Sequence, residues 1–209
     1  MLAGAPMFAH VTLHASDPDA SRAFYATVLA ALGGAGPGGE LRIVAAGDEH
    51  VVTRGLHLGF GARSTAEVDA FWHAGIAAGA PDDGEPGPRP QYLADYYGGF
   101  LLDPDGNSAE ADHHGAVRTD GLVDHLWVRV ADLPAVRAFY LGLAPRVGFT
   151  LGSDTAQRVS FGGRGGGWIS FVAGGPATEH LQLGLRAAVA SDAPLRDPAG
   201  HVVELVGPS

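Results

Sequence analysis

Two stretches of the chain each carry a histidine in an apolar strand, a second histidine in a later strand, and a glutamate just after an Asp-Pro turn. The first set is His10, His57 and Glu110, ending in D-P-D-G-N-S-A-E; the second is His125, His180 and Glu204, ending in D-P-A-G-H-V-V-E. Two imidazoles and one carboxylate are the donors a divalent metal needs when part of its coordination shell stays open for substrate. Cysteine is absent. Disulfides, thiolate ligation and cysteine nucleophiles are therefore excluded, and any metal sits in nitrogen and oxygen.

Strands and helices must bring these residues together. Residues 7–15 alternate: Met7, Ala9, Val11 and Leu13 form an apolar row, and Phe8, His10, Thr12 and His14 face the other way. Asp17 caps a helix with Pro18 at its first position, Ala20, Phe24, Val28 and Leu32 as its buried stripe, and Gly33 as its stop. Strands follow near 41–46 and 50–54. Next, Leu56, Leu58 and Phe60 oppose His57, Gly59 and Gly61, and Ser64 with Glu67 makes a capping box for a helix ending at Gly79. The Pro-, Gly- and Asp-rich stretch 81–95 reads as a long loop, and strands at 96–102 and 107–112 flank the Asp103-Pro104-Asp105-Gly106 turn.

After a polar linker at about 113–121 the plan restarts. His125, Trp127 and Arg129 alternate with Leu126, Val128 and Val130, Asp132 with Pro134 opens a helix, and strands fall near 146–151, 157–161 and 167–172. The glycine run Gly162 to Gly167 lacks the Gly-Lys-Ser/Thr ending of a phosphate loop and reads as a hairpin. E-H-L-Q-L-G-L then sets His180, Gln182 and Gly184 against Leu181, Leu183 and Leu185. Only 11 residues, Arg186 to Arg196, separate that strand from Asp197-Pro198, where the first half holds a helix and more. The spacing predicts two domains, 1–115 and 116–209, the second shortened.

With 13 basic and 23 acidic residues the net charge is -10, which disfavours nucleic acid and anionic membranes. No apolar run reaches the roughly 18 residues of a membrane span, and the N-terminus lacks the pattern of a secretion signal, so the expected location is cytoplasmic.

The stretches A-H-V-T-L-H-A-S-D-P-D-A-S-R-A-F-Y-A-T-V-L, L-H-L-G-F-G-A-R-S-T-A-E-V-D-A-F, F-L-L-D-P-D-G-N-S-A-E-A, V-D-H-L-W-V-R-V-A-D-L-P-A-V-R-A-F-Y and D-P-A-G-H-V-V-E-L resemble the vicinal oxygen chelate superfamily: glyoxalases, extradiol dioxygenases, and fosfomycin- and bleomycin-resistance proteins. The resemblance implies an α+β fold of tandem paired βαβββ units forming open, half-barrel mixed sheets. It also implies metal ligands on the first, fifth and eighth strands, the positions of His10, His57 and Glu110 and of His125, His180 and Glu204. Each ligand of the first set faces away from its strand's apolar row, which favours that site. In the second, His180 and Glu204 are only 24 residues apart, against 53 for His57 and Glu110.

The implied activity is that of a metal-dependent isomerase or lyase, or of a dioxygenase, holding a small substrate by two oxygens. The ion is iron, manganese, zinc or nickel. Glyoxalase-type members use a fourth ligand, a glutamate for which Glu49 is the nearest candidate, though it stands too close to His57. The extradiol signature would place a tyrosine where Phe100 and Pro194 stand. Tyr92 and Tyr96 are candidate acid groups; His14, Arg89 and Tyr97 are candidate substrate-binding residues. His14 lies roughly 13 Å along the strand from His10, too far to share its ion. His50, His73, His113, His114 and His201 read as exposed. The alternative is a bleomycin-resistance-like protein that binds a drug or metabolite without catalysis. The partner is a small molecule in either case, and a homodimer is open as an assembly.

Overall fold

The structure, a computed structural model, describes residues 4–34, 36–47, 51–115, 119 and 121–208. It is an α+β fold of two open mixed sheets and three helices. The strands are β1 (Phe8–Ala15), β2 (Leu41–Ala45), β3 (His57–Gly61), β4 (Asp82–Pro88), β5 (Tyr97–Leu102), β6 (Ser108–His113), β7 (His125–Val130), β8 (Thr150–Asp154), β9 (Arg158–Gly162), β10 (Trp168–Ala173), β11 (Gln182–Arg186), β12 (Leu195–Arg196) and β13 (Val202–Val206). The helices are α1 (Pro18–Ala30), α2 (Thr65–Ala77) and α3 (Leu133–Val147). None is long and apolar enough to cross a membrane.

The sheets exchange partners across the sequence repeat. One runs β12-β13-β11-β1-β2 and joins the start of the chain to its end; the other runs β4-β5-β6-β3-β7-β10-β9-β8. Each sheet thus takes strands from both sides of the 113–121 linker. β1 lies antiparallel to β11, and β3 antiparallel to β7. The last unit is short, with only the two-residue β12 between β11 and β13.

The helix ends follow their caps. The Asp17 side chain accepts from Asp19 N and Ala20 N, Asp132 from Ala135 N, and Ser64 from Glu67 N. At the Ser64 cap, Glu67 Oε2 in turn accepts from Arg63 N. The stripe that α1 buries is Ser21, Phe24, Tyr25, Val28 and Leu29, the i, i+3, i+4, i+7, i+8 set. Ala20, expected in that stripe, is exposed. Phe8, expected beside His10, is fully buried in the core because a register shift between these residues changes the strand's phase.

The 81–95 segment is not all loop: Asp82–Pro88 forms β4, paired antiparallel with β5. It is an edge strand with register shifts, the setting that tolerates Pro86 and Pro88. Conversely, residues 51–54 hold only an isolated bridge, Arg54 to Glu179. The strand expected at 146–151 begins at Thr150, after Gly148 ends α3 in the left-handed region at φ 72.

The Asp-Pro turns are anchored alike. Tyr25 of α1 donates to Asp103 Oδ2 at 3.0 Å, and Tyr140 of α3 donates to Asp197 Oδ2 at 3.2 Å. His201, read from sequence as exposed, is buried beneath the second turn, with Nδ1 3.1 Å from Asp197 Oδ2 and Nε2 3.0 Å from the Thr178 carbonyl. Burial lowers its pKa, but the Asp197 hydrogen bond and charge, with the Thr178 carbonyl, outweigh this and raise it above 6.5. The folded pKa exceeds the unfolded one, so this stabilisation is complete below pH 6.5 and lost as pH rises through the raised value. The expected result is a Tm that falls over that alkaline window and a smaller fall in His201→Gln, read by thermal melts across pH.

Candidate metal centre

β6, β3 and β7 are neighbours in the middle of the eight-stranded sheet. Their pairing sets Gly59 between Glu110 on one side and His125 on the other. Because Gly59 has no side chain, the His125 ring occupies the space a Cβ would fill. Three donor atoms converge there. Glu110 Oε2 is 2.8 Å from His57 Nε2 and 3.2 Å from His125 Nε2, and the two Nε2 atoms are 3.2 Å apart. Ligands held at about 2.1 Å and at right angles around one ion stand about 3 Å apart.

The outer hydrogen bonds determine what those atoms offer. Ser108 Oγ donates to Asp83 Oδ2 at 2.6 Å, which leaves it to accept from His57 Nδ1 at 3.2 Å. His125 Nδ1 is 3.0 Å from Asp124 Oδ2 and 3.2 Å from Asp112 Oδ2, and a carboxylate only accepts. Nδ1 is thus tied outward in both rings, and each Nε2 faces the Glu110 carboxylate: it donates to that carboxylate while protonated and offers its lone pair to a cation that displaces the proton. Three lone-pair donors aimed at one point, each imidazole oriented by an outer acceptor, form the arrangement of a bound metal. The donor set fits a divalent ion.

The local field agrees. Burial raises the Glu110 pKa, but hydrogen bonds from His125 and His57 and their charge reverse this and hold the carboxyl at about 2. Burial lowers that of His125, yet Asp112, Asp124 and Glu110 push it well above the usual imidazole range. A field that retains positive charge at His125 also favours a cation.

The triad opens into a cleft of about 710 Å³ whose lining includes Tyr92, Tyr96, Phe100, Trp127, Arg158 and Ser170. The Tyr96 hydroxyl donates to Glu110 Oε1 at 2.8 Å. Tyr92 is half exposed and edge-on to Tyr96, with ring centroids 5.3 Å apart. Strand register exposes a fourth position. Glu110 pairs with Gly59, two residues after His57; two residues after His125, Trp127 pairs with Ser170. Ser170 thus stands where a second carboxylate would complete a symmetric four-ligand site.

The other sheet repeats the plan with different residues. His10 pairs with Gly184, Gly184 with Glu204, and Thr12 with Arg42. His10, grouped by sequence with His57 and Glu110, lies instead with its Nε2 3.5 Å from Glu204 Oε2. By register, Gln182 occupies the place His57 holds in the metal cluster. Its Nε2 donates to Glu204 Oε1 at 2.7 Å, and its Oε1 lies 3.3 Å from His14 Nε2. His180, the expected ligand, stands before β11, exposed and at φ 51. The twist at that residue breaks the alternation that would have carried it onto the ligand face.

Of the remaining candidates, Tyr97 donates to Asp69 Oδ1 at 2.8 Å, away from the cleft. Arg89 donates to the carbonyls of Glu85 and Pro88 and lies over Phe100, 5.4 Å from its centroid. Glu49 and His50 fall outside the described residues. Among the residues read as exposed, His113 and His114 are half-buried, with His113 Nδ1 3.0 Å from the Ala62 carbonyl.

No family model matches the chain, and no curated protein does. Solved structures match. Glyoxalase I from Zea mays superposes with a TM-score of 0.63 at 15% identity, covering 97% of this chain and 92% of that one. A putative dioxygenase from Bacillus subtilis gives 0.63 at 13% identity, over 97% and 86%. A glyoxalase/bleomycin resistance protein from Albidiferax ferrireducens is 32% identical over 98% of its length and 51% of this chain, with a TM-score of 0.46. The fold is that of the glyoxalase/bleomycin resistance/dioxygenase proteins. These likenesses are consistent with the vicinal oxygen chelate resemblance read from the sequence.

Proposed function

We propose that the chain is a metal-dependent enzyme in which His57, Glu110 and His125 hold one divalent ion, iron, manganese, zinc or nickel, and a small substrate is bound through two oxygens. The observation that carries this reading is the set of three lone-pair donors 2.8 to 3.2 Å apart, with both Nδ1 protons tied outward. An ion there supplies Lewis acidity to the substrate oxygens it chelates. Tyr96, bonded to the free oxygen of Glu110, is the group positioned to move a proton at the cleft floor.

Ser170 at the fourth position leaves a single carboxylate, which supports oxygen-dependent cleavage of a diol over glyoxalase-type isomerisation; the latter needs a second carboxylate as proton shuttle. The triad is complete within one chain, so no homodimer is needed to build it.

Purified protein reconstituted separately with iron, manganese, nickel and zinc is expected to bind about one ion per chain. His125→Ala and His57→Ala remove it, whereas His10→Ala retains it. Oxygen uptake by the iron form with catechols, against hemithioacetal turnover, separates the two reactions. Failure of wild type to bind any of the four ions transfers the reading to a protein that binds its ligand without catalysis.

A further inference from the structure

The cleft has a second chemical pole. His125, Trp127 and Arg129 follow one another on one face of β7, and the register across β10 to β9 runs from Arg129 through Val172 to Arg158. Arg129 and Arg158 therefore share one row of the sheet, two strands apart. That row lies two repeats, roughly 13 Å, along the strand from His125. Both arginines line the cleft. Arg158 reaches back over Trp127, its guanidinium carbon 5.4 Å from the ring centroid, so its plane is held between the row and the metal cluster.

Other arginines of the chain are neutralised, but not all: Arg146, Arg164 and Arg186, around a smaller pocket, also lack an acceptor among the described residues. Arg22, Arg63 and Arg137 each engage a carboxylate, of Asp19, Glu67 and Asp154 respectively. Among the described residues, the guanidinium groups of Arg129 and Arg158 have no hydrogen-bonded acceptor and no ion pair. In a chain of net charge -10, whose overall field repels anions, the half-buried Arg158 and the exposed Arg129, both unpaired and lining one cleft wall, mark a local site for negative charge. Ser153 and Ser160, in the same wall, add hydroxyls that can donate to an anion.

We propose that Arg158, with Arg129, selects substrates that bear a carboxylate or another oxyanion at the end opposite their chelating oxygens. The inference rests on the metal reading of the triad. The two poles are separated by roughly one to two strand repeats, about 7 to 13 Å, which fits a small ring or short chain carrying the two functions at its ends. A guanidinium held over an indole can offer two-point recognition of a carboxylate, which a lysine would not reproduce.

The test is calorimetric titration of the zinc-loaded protein, which cannot turn over by redox chemistry, with 3,4-dihydroxybenzoate and with catechol. The carboxylate-bearing probe is expected to bind about tenfold tighter or more. Arg158→Met brings the ratio of the two affinities close to one, Arg129→Met lowers it, and salt weakens only the anionic probe's advantage. Equal affinity in wild type, a ratio unchanged in both variants, or binding of neither probe overturns the proposal. Failure of the metal reading is scored separately. If zinc does not bind, 3,4-dihydroxybenzoate still raises the Tm of wild type and not that of Arg158→Met if the arginine pole is real, and raises both or neither if it is not.

Discussion

Gly59→Ala is expected to weaken metal binding by about 10- to 100-fold, although no ligand is changed. A Cβ at position 59 would fall inside the His125 ring. That ring is buried, and Asp124 Oδ2 fixes its Nδ1 at 3.0 Å, so it can yield only by carrying Nε2 away from His57 and Glu110. Gly59 sits in a regular strand and its φ is not positive. Alanine therefore brings no backbone strain and acts through the imidazole. Overpacking also costs about 1 to 3 kcal/mol of stability. Gly184→Ala is the matched control: its Cβ would meet the His10 ring in the other sheet in the same way. Titration with a competing chelator should place it at the wild-type affinity, with Gly59→Ala far weaker. Equal affinities for the two variants would mean that His125 is not a ligand.

That contrast shows what was legible in the sequence. Donor types and chain order could be read: His57, Glu110 and His125 were all singled out by alternation and by the Asp-Pro turn. Their grouping could not be read, because alternation gives the face of a strand and is silent on its neighbour. The repeat suggested that each half closes on itself, so His10 was joined to His57. The antiparallel pairings of β3 with β7 and of β1 with β11 instead place His125 over Gly59 and His10 over Gly184. The two glycines opposite histidines were a readable signal, since a ring that lies flat on a neighbouring strand needs a residue without a side chain. Helix starts were accurate because Asp17, Ser64 and Asp132 act locally. β4 was missed because its prolines and glycines argue for a loop, and only pairing to β5 makes a strand of them.

Register also shows how the two sheets differ at these positions. Moving from the eight-stranded to the five-stranded sheet, the positions of His57, Glu110, His125 and Ser170 are taken by Gln182, Glu204, His10 and Arg42. An amide replaces one imidazole, and an arginine stands at the fourth place. Arg42 also acts on His10: after burial, it is the next cause lowering that pKa, against the opposing charge of Glu204. A positively charged side chain at the fourth position opposes a cation where Ser170 would not. The two sheets therefore share a strand plan, and among the described residues the His-His-Glu grouping occurs in the eight-stranded one.

Asp103→Ala is expected to destabilise the protein by about 3 to 5 kcal/mol. The buried Asp103 carboxylate accepts from Asp105 N at 2.9 Å, Asn107 N at 2.8 Å, Asn107 Nδ2 at 3.0 Å and the Tyr25 hydroxyl at 3.0 Å. Alanine leaves four donors unpaired in a site closed to water, each costing about 1 to 3 kcal/mol with less than full additivity. The loss spreads along the chain. Asn107 in turn accepts from Leu56 N at 3.1 Å and donates to the Thr53 carbonyl at 2.9 Å, so the turn holds the start of β3 as well as that of β6. His57 is the first residue of β3 and Glu110 the third of β6. Urea unfolding should show the full loss in Asp103→Ala and about 1 kcal/mol in Tyr25→Phe, which removes one donor and leaves the carboxylate three. Metal affinity should fall in the first variant and hold in the second. Comparable stability of Asp103→Ala and wild type would mean that the four bonds contribute no net stabilisation and that the turn is held by packing of Leu56 and Leu101 alone.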